Sequence, residues 1–163
     1  MDKQKCLKIF GSIQSDNFIG NRGKFSKGFT LVEIMIVVAV IVLLAAVAIP
    51  GLLRSRLNAN EAAAISSVKT ISWAATTYRA ANSAYPANLS VLSSSNPSYV
   101  DSVLGSGSKQ GYNFTLEGNS DNFNLSAIPA TPNITGVRCF FVDTGGVIRS
   151  SANGTADATS MPI

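Results

Sequence analysis

An α+β fold is expected for this chain of 163 residues: a long N-terminal helix, half membrane-spanning and half amphipathic, packed against a small antiparallel sheet of three to four strands. Three features of the sequence lead there. Between Phe29 and Leu53 only Thr30 and Glu33 are polar. Past Pro50, apolar residues return at helical spacing. From Ser83 onward Ser, Asn, Thr, Gly and Pro dominate, and apolar residues come in short bursts. The regions read as a polar leader (1–28), a hydrophobic helix (29–53), its amphipathic continuation (54–82) and a globular head (83–163).

The hydrophobic segment is long enough to cross a bilayer, since about 1.5 Å of rise per residue carries it past a hydrocarbon core of roughly 30 Å. Charge orients it. Lys3, Lys5, Lys8, Arg22, Lys24 and Lys27 stand against Asp2 and Asp16, so the whole net charge of +4 lies upstream of Phe29, and the remainder balances to zero. A basic N-terminal flank stays cytoplasmic and sends the C-terminal part across. The same distribution takes away the case for a nucleic-acid partner, which would want a basic face on the folded domain.

Enzyme chemistry finds little to work with. The chain has no histidine, the commonest general base and metal ligand, and no nucleophile–base spacing stands out. Asp121, Asp143 and Asp157 are scattered and lack the close acidic alternation of a calcium loop, so no metal and no cofactor are expected. Cys6 and Cys139 would fall on opposite sides of the membrane and cannot pair within one chain. Cys139, in the string Val137 to Val142, reads as a small buried hydrophobe.

Glu33 is the awkward residue. A carboxylate at bilayer depth costs a few kcal/mol even on lenient insertion scales. Either it snorkels or is protonated near the interface, or it finds a cationic partner. A secretory signal peptide would place its apolar stretch before the cut. Here the polar leader comes first, so a cut between Gly28 and Phe29 would discard the positive flank and keep the apolar segment. It would also create an α-amino group at Phe29, close to the depth of Glu33, at a helix N-terminus whose dipole favours an anion.

Lys27-Gly28-Phe29-Thr30-Leu31-Val32-Glu33, followed by an unbroken apolar span to Pro50, resembles the N-terminal signature of type IV pilins and of the type II secretion pseudopilins. The resemblance is dense over 27–53 and thin beyond Glu61. It implies cleavage at Gly28/Phe29 by a prepilin peptidase, N-methylation of Phe29, Glu33 as the assembly glutamate paired with the Phe29 amine of a neighbouring subunit, and a helix kink at Pro50 and Gly51. It further implies a self-assembling helical homopolymer, drawn from the bacterial inner membrane by an assembly platform and ATPase. Two departures stand out. Val42 takes the place of a glycine often found midway along the apolar segment, and the leader is long for a mature N-terminal phenylalanine. The expected function is a type IV pilus subunit, extracellular once assembled. A periplasmic secretion pseudopilin is the close alternative and a membrane-tethered binding module a distant one.

Pro50 beside Gly51 can end a helix at the membrane exit or kink a longer one. The pattern beyond favours the kink: Leu53, Leu57, Ile65, Val68, Ile71, Ala75 and Tyr78 recur on one face, with Arg54, Arg56, Asn58, Asn60, Lys69 and Arg79 mostly off it. Trp73, Tyr78 and Tyr85 are expected to be ordinary core aromatics. Asn82-Ser83 stops the helix. Tyr112, Phe114 and Leu116 alternate with polar residues, as do Phe123 and Leu125. Val137–Val142 and Val147–Ile148 flank Asp143-Thr144-Gly145-Gly146, a hairpin turn. The stretch 86–111 is expected to hold a short helix or turn, either covering the sheet or contacting a neighbour. The C-terminal tail is either flexible or a last strand.

Overall fold

The computed structural model describes residues 28–152 and 154–163, so the leader through Lys27, including Cys6, lies outside the described residues, as does Asn153. The chain divides into two units, 1–40 and 41–163. In the first, helix α1 (Leu31–Asn82) begins directly after Gly28-Phe29-Thr30. In the second, the helix continues past Pro50 without interruption and ends at Asn82. The proline therefore does not terminate it, although it removes one backbone donor from the ladder. Ser83, at φ 60°, makes the left-handed exit anticipated at Asn82-Ser83.

Among the described residues, six strands form one antiparallel meander: β1 (Ser108–Lys109), β2 (Tyr112–Gly118), β3 (Phe123–Pro129), β4 (Cys139–Asp143), β5 (Arg149–Ser151) and β6 (Met161–Pro162), in that spatial order. The expected strands correspond to β2 and β3, read from alternation, and to β4, read from the apolar string Val137–Val142 before the hairpin turn. The others are two or three residues long, too short for a period-2 pattern to register. Along β2 and β3, buried and outward residues alternate, sending Tyr112, Phe114, Leu116, Phe123, Leu125 and Ala127 inward. The hairpin at Asp143 closes with the Gly146 N–H donating to the Asp143 carbonyl at 3.0 Å, and Gly146 at φ 72° supplies the left-handed corner. Val147 and Ile148, expected as the returning strand, lie between this turn and β5, where the Ile148 carbonyl accepts the Ile163 N–H at 3.1 Å. The tail takes the strand option: Met161 and Pro162 pair with Ser150 and Arg149.

The sheet packs on the helix from Glu61 onward. Val68, Ile71 and Ala75 are fully buried against it, with Ile65 and Tyr78 partly so. The stretch after Pro86 folds into α2 (Leu89–Ser94) and α3 (Ser102–Gly105). Asn88 and Asp101 accept hydrogen bonds from the Val91 and Leu104 N–H groups as N-caps, and Leu89, Leu92, Val100 and Leu104 are buried. These residues cover the core. Cys139 is likewise buried, and burial pushes its thiol pKa up, as expected of a structural cysteine.

Two expectations for the helix fail. Trp73 is 78% exposed and not a core aromatic. At about 100° per residue it lies some 200° around the helix from Ile71, on the opposite face. Leu53 is also exposed and Leu57 only half-buried, so the buried face begins at Glu61, about two turns later than predicted.

Candidate functional site

Of the predicted site residues, Gly28, Phe29 and Glu33 lie at the start of the helix, and Pro50 and Gly51 lie within it. Thr30 Oγ1 accepts the Glu33 backbone N–H at 3.2 Å, while its carbonyl accepts the Ile34 N–H at 3.3 Å. Thr30 is thus the N-cap, and Glu33 stands three residues on, in the first turn, where the helix dipole favours a carboxylate. The Thr-x-x-Glu spacing is that of a capping box, a signal legible in the sequence itself. Gly28 and Phe29 lie exposed just before the cap.

From Phe29 to Leu53 every large apolar side chain is exposed. Fully burying one such side chain is worth about 1.5–3 kcal/mol, so a run of this length is stable only against lipid or other helices. Pro50 and Gly51 sit on this surface, both exposed.

A second feature, missed from the sequence, lies where the helix meets the sheet. Glu61 is 6% exposed. One carboxylate oxygen, Oε1, accepts the backbone N–H groups of Val137 and Arg138 at 2.9 and 3.1 Å, and Oε2 accepts Arg138 Nε at 2.8 Å. One residue earlier, Asn60 Nδ2 donates to the Thr135 carbonyl at 2.9 Å. Tyr112 closes the cluster from β2, its hydroxyl donating to the Arg138 carbonyl at 2.8 Å. The β3–β4 loop is thereby clamped to the helix. A Cβ at Gly136 would overlap the Tyr112 hydroxyl, so only glycine lets the loop pass. Burial pushes the Glu61 pKa up, but the two backbone N–H groups and the Arg138 guanidinium outweigh it and hold the carboxyl below its ordinary value. Burial, and then the nearby Glu61 charge, push the Tyr112 phenol well above its own. The cluster is a structural clamp, and its parts are too far apart in sequence for any local motif to reveal.

Among the described residues no group of three or more His, Cys, Asp or Glu side chains is placed to hold a metal ion.

Comparison with known proteins bears on the N-terminal segment first. Residues 23–49 match the model of the prokaryotic N-terminal methylation motif. The chain is 36% identical over 91 residues to the type IV wide pilus major component PilA4 of Thermus thermophilus, a match covering 53% of this chain and 70% of that protein. It is also 33% identical over 70 residues to the type II secretion system core protein G of Pectobacterium carotovorum, covering 43% of this chain and 45% of that relative.

Proposed function

Since this chain belongs to the family of type IV pilins and type II secretion pseudopilins, structural subunits of filaments, we propose that it is the repeating subunit of a type IV pilus, cut between Gly28 and Phe29 and methylated on Phe29. The observation that carries the reading is the wholly exposed apolar helix surface from Phe29 to Leu53 with one carboxylate, Glu33, in its first turn. Before assembly that surface lies in the membrane, with the basic leader on the cytoplasmic side. After assembly it meets the same surface of neighbouring subunits.

Because lipid is as apolar as leucine, transfer from bilayer to filament gains little from hydrophobicity; packing and polar pairing must set the geometry. The cleaved Phe29 amine and Glu33 supply such a pair between subunits. In low dielectric it fixes axial register more than it adds stability, since desolvation offsets much of the attraction. A contact of unlike surfaces repeated along an axis gives an open helical filament. Pro50 and Gly51 would supply the kink and local loosening this packing requires. A prepilin peptidase and an inner-membrane platform with its ATPase are the partners the process needs.

A secretion pseudopilin is the second reading, favoured by the similarity to the core protein G. The pilus reading ranks first because its match is longer and covers more of the relative. Shearing cells that produce the chain decides between them: long surface fibres containing it support the pilus, and its confinement to the periplasm supports the pseudopilus. In the same assay Glu33→Leu is expected to leave membrane insertion and cleavage intact and to lower filament yield. Wild-type yield from that variant would remove the glutamate from the assembly account.

A further inference from the structure

We propose that Trp73 is the anchor on which one subunit seats the apolar helix half of a second copy, setting the axial offset between the two at about 42 Å. The inference rests on the filament reading and adds to it a residue, a face and a register. Trp73, 78% exposed, is the bulkiest apolar side chain left to solvent. About 30 Å of helix separate it from Leu53, so the bilayer does not cover it. Its surroundings are not those of a solvated face. At about 100° per residue, Ser55, Ala59, Ala62, Ser66, Thr77 and Ala80 lie within about 40° of the Trp73 direction, and all are exposed. Lys69 is the one charge beside them, and its stem can lie along an apolar neighbour with the ammonium in water. A helix face meant for water carries charged and polar groups turn after turn. The opposite face, with Val68, Ile71 and Ala75, is covered by the sheet. Grooves flank the Trp73 ridge, one toward Ser98 and Tyr99 and the other toward Gly146 and Ile148. Such relief receives the side chains of a second helix, ridge into groove.

The occupant follows from the chain itself. In a filament the apolar run from Phe29 to Leu53 exchanges lipid for protein, and the copies lie parallel because each leaves the membrane by the same end. A copy displaced by about half a helix brings its apolar half level with the amphipathic half of the copy behind it. There the nearly uncharged Trp73 face continues the same helix surface that the apolar run exposes. An indole knob needs a hole with small walls. Ala45, Ala48, Ile49 and Leu52 have the i, i+3, i+4, i+7 spacing of such a hole, with two alanines in it. Ala45 precedes Trp73 by four heptads, which at 1.5 Å per residue is about 42 Å. The same offset sets Leu52 of one copy beside Ala80 of the other.

Trp73 is the sole tryptophan of the chain, so its own fluorescence reads the contact. Emission and acrylamide quenching are compared between the full chain in phospholipid nanodiscs and purified filaments. On assembly the emission is expected to move to the blue and the quenching constant to fall at least about threefold, as the indole leaves water. Filaments in which Trp73 stays as quenchable as in nanodiscs overturn the proposal and leave the filament reading standing. Failure of the chain to enter any filament overturns both. Register is read on filaments with a short bismaleimide and cysteine pairs that keep Trp73, in a Cys6→Ser background with buried Cys139 retained. Ala80→Cys with Leu52→Cys is expected to crosslink copies at least about fivefold more than Ala80→Cys with Ala45→Cys, which is one heptad out of register. Equal crosslinking or the reverse ranking overturns the offset, even where Trp73 is shielded. Trp73→Ser, with a melting temperature like that of wild type, is expected to lower filament yield at least about threefold. Wild-type yield from that variant overturns the anchor.

Discussion

Glu61→Ala should unfold the head at a markedly lower temperature, and the clamp geometry says by how much. The carboxylate accepts three hydrogen bonds, and bonds to a charged group are worth about 1.5–3 kcal/mol each. The full sum overstates the effect. The Arg138 side chain is 44% exposed, so its guanidinium rehydrates when the carboxylate is gone and its pairing falls toward the surface value of about 0–1 kcal/mol. The two backbone donors are partly buried, and leaving each unsatisfied costs about 1–3 kcal/mol, toward the lower end where water can reach. The net loss is therefore about 2–4 kcal/mol. For a folded region of this size that corresponds to roughly 10–20 °C in Tm. Glu61→Gln keeps an oxygen for both N–H groups but sets an amide donor against the Arg138 donor; that pairing is lost, and because the guanidinium is 44% exposed and can swing into water the variant should lose only about 1–2 kcal/mol, less than alanine. The assay is thermal melting of the full chain in detergent micelles, followed by near-ultraviolet circular dichroism. An alanine variant melting within about 2 °C of wild type, or a glutamine variant falling as far as alanine, would refute the clamp as the link between helix and sheet.

Because the Glu61 carboxyl is held below its ordinary value in the fold, the clamp contributes stability that is complete above the unfolded carboxylate pKa, about 4.3, and is lost as pH falls through the lower folded value. Asp157, also lowered by hydrogen bonds from Thr159 and Ser160, titrates in the same region, so the difference between wild-type and Glu61→Gln melts across pH 2–6 isolates Glu61. That difference should shrink below pH 4. Gly136→Ala should destabilise by about 2 kcal/mol or more, since its methyl meets the Tyr112 ring and hydroxyl, and Gly136→Ala in Tyr112→Phe should recover part of the loss in denaturant titration. Trp73→Ser should change Tm negligibly, within about 0.5 kcal/mol, because the indole lies on the surface.

What the sequence disclosed and what it hid divide along physical lines. The apolar run, the helix through Asn82, the buried Val68, Ile71 and Ala75, and the alternation of β2 and β3 follow from periodicities of 3.6 and 2, and these were legible. Trp73 departs from the expectation because its helical phase, opposite Ile71, decides its exposure over its hydrophobicity. Short β1, β5 and β6 carry too few residues to show a period, and they depend on pairing with neighbours already in place. The clamp was hidden for a different reason. Asn60 and Glu61 look like ordinary polar residues on a helix, and their partners stand about 75 residues away on a loop. Only the three-dimensional approach of that loop turns a nominally solvated glutamate into a buried one. At the N-terminal segment the residue types were legible, and the Thr30 cap on Glu33 was available from spacing alone.

The central claim, that Phe29 becomes the first residue of a filament subunit, is tested most directly by mass spectrometry of protein sheared from the cell surface. The account predicts fibres whose N-terminal peptide begins at Phe29 and carries one additional methyl group on its amine. Fibres containing the chain with residues upstream of Phe29 still attached, or with an unmodified N-terminus elsewhere, would contradict it.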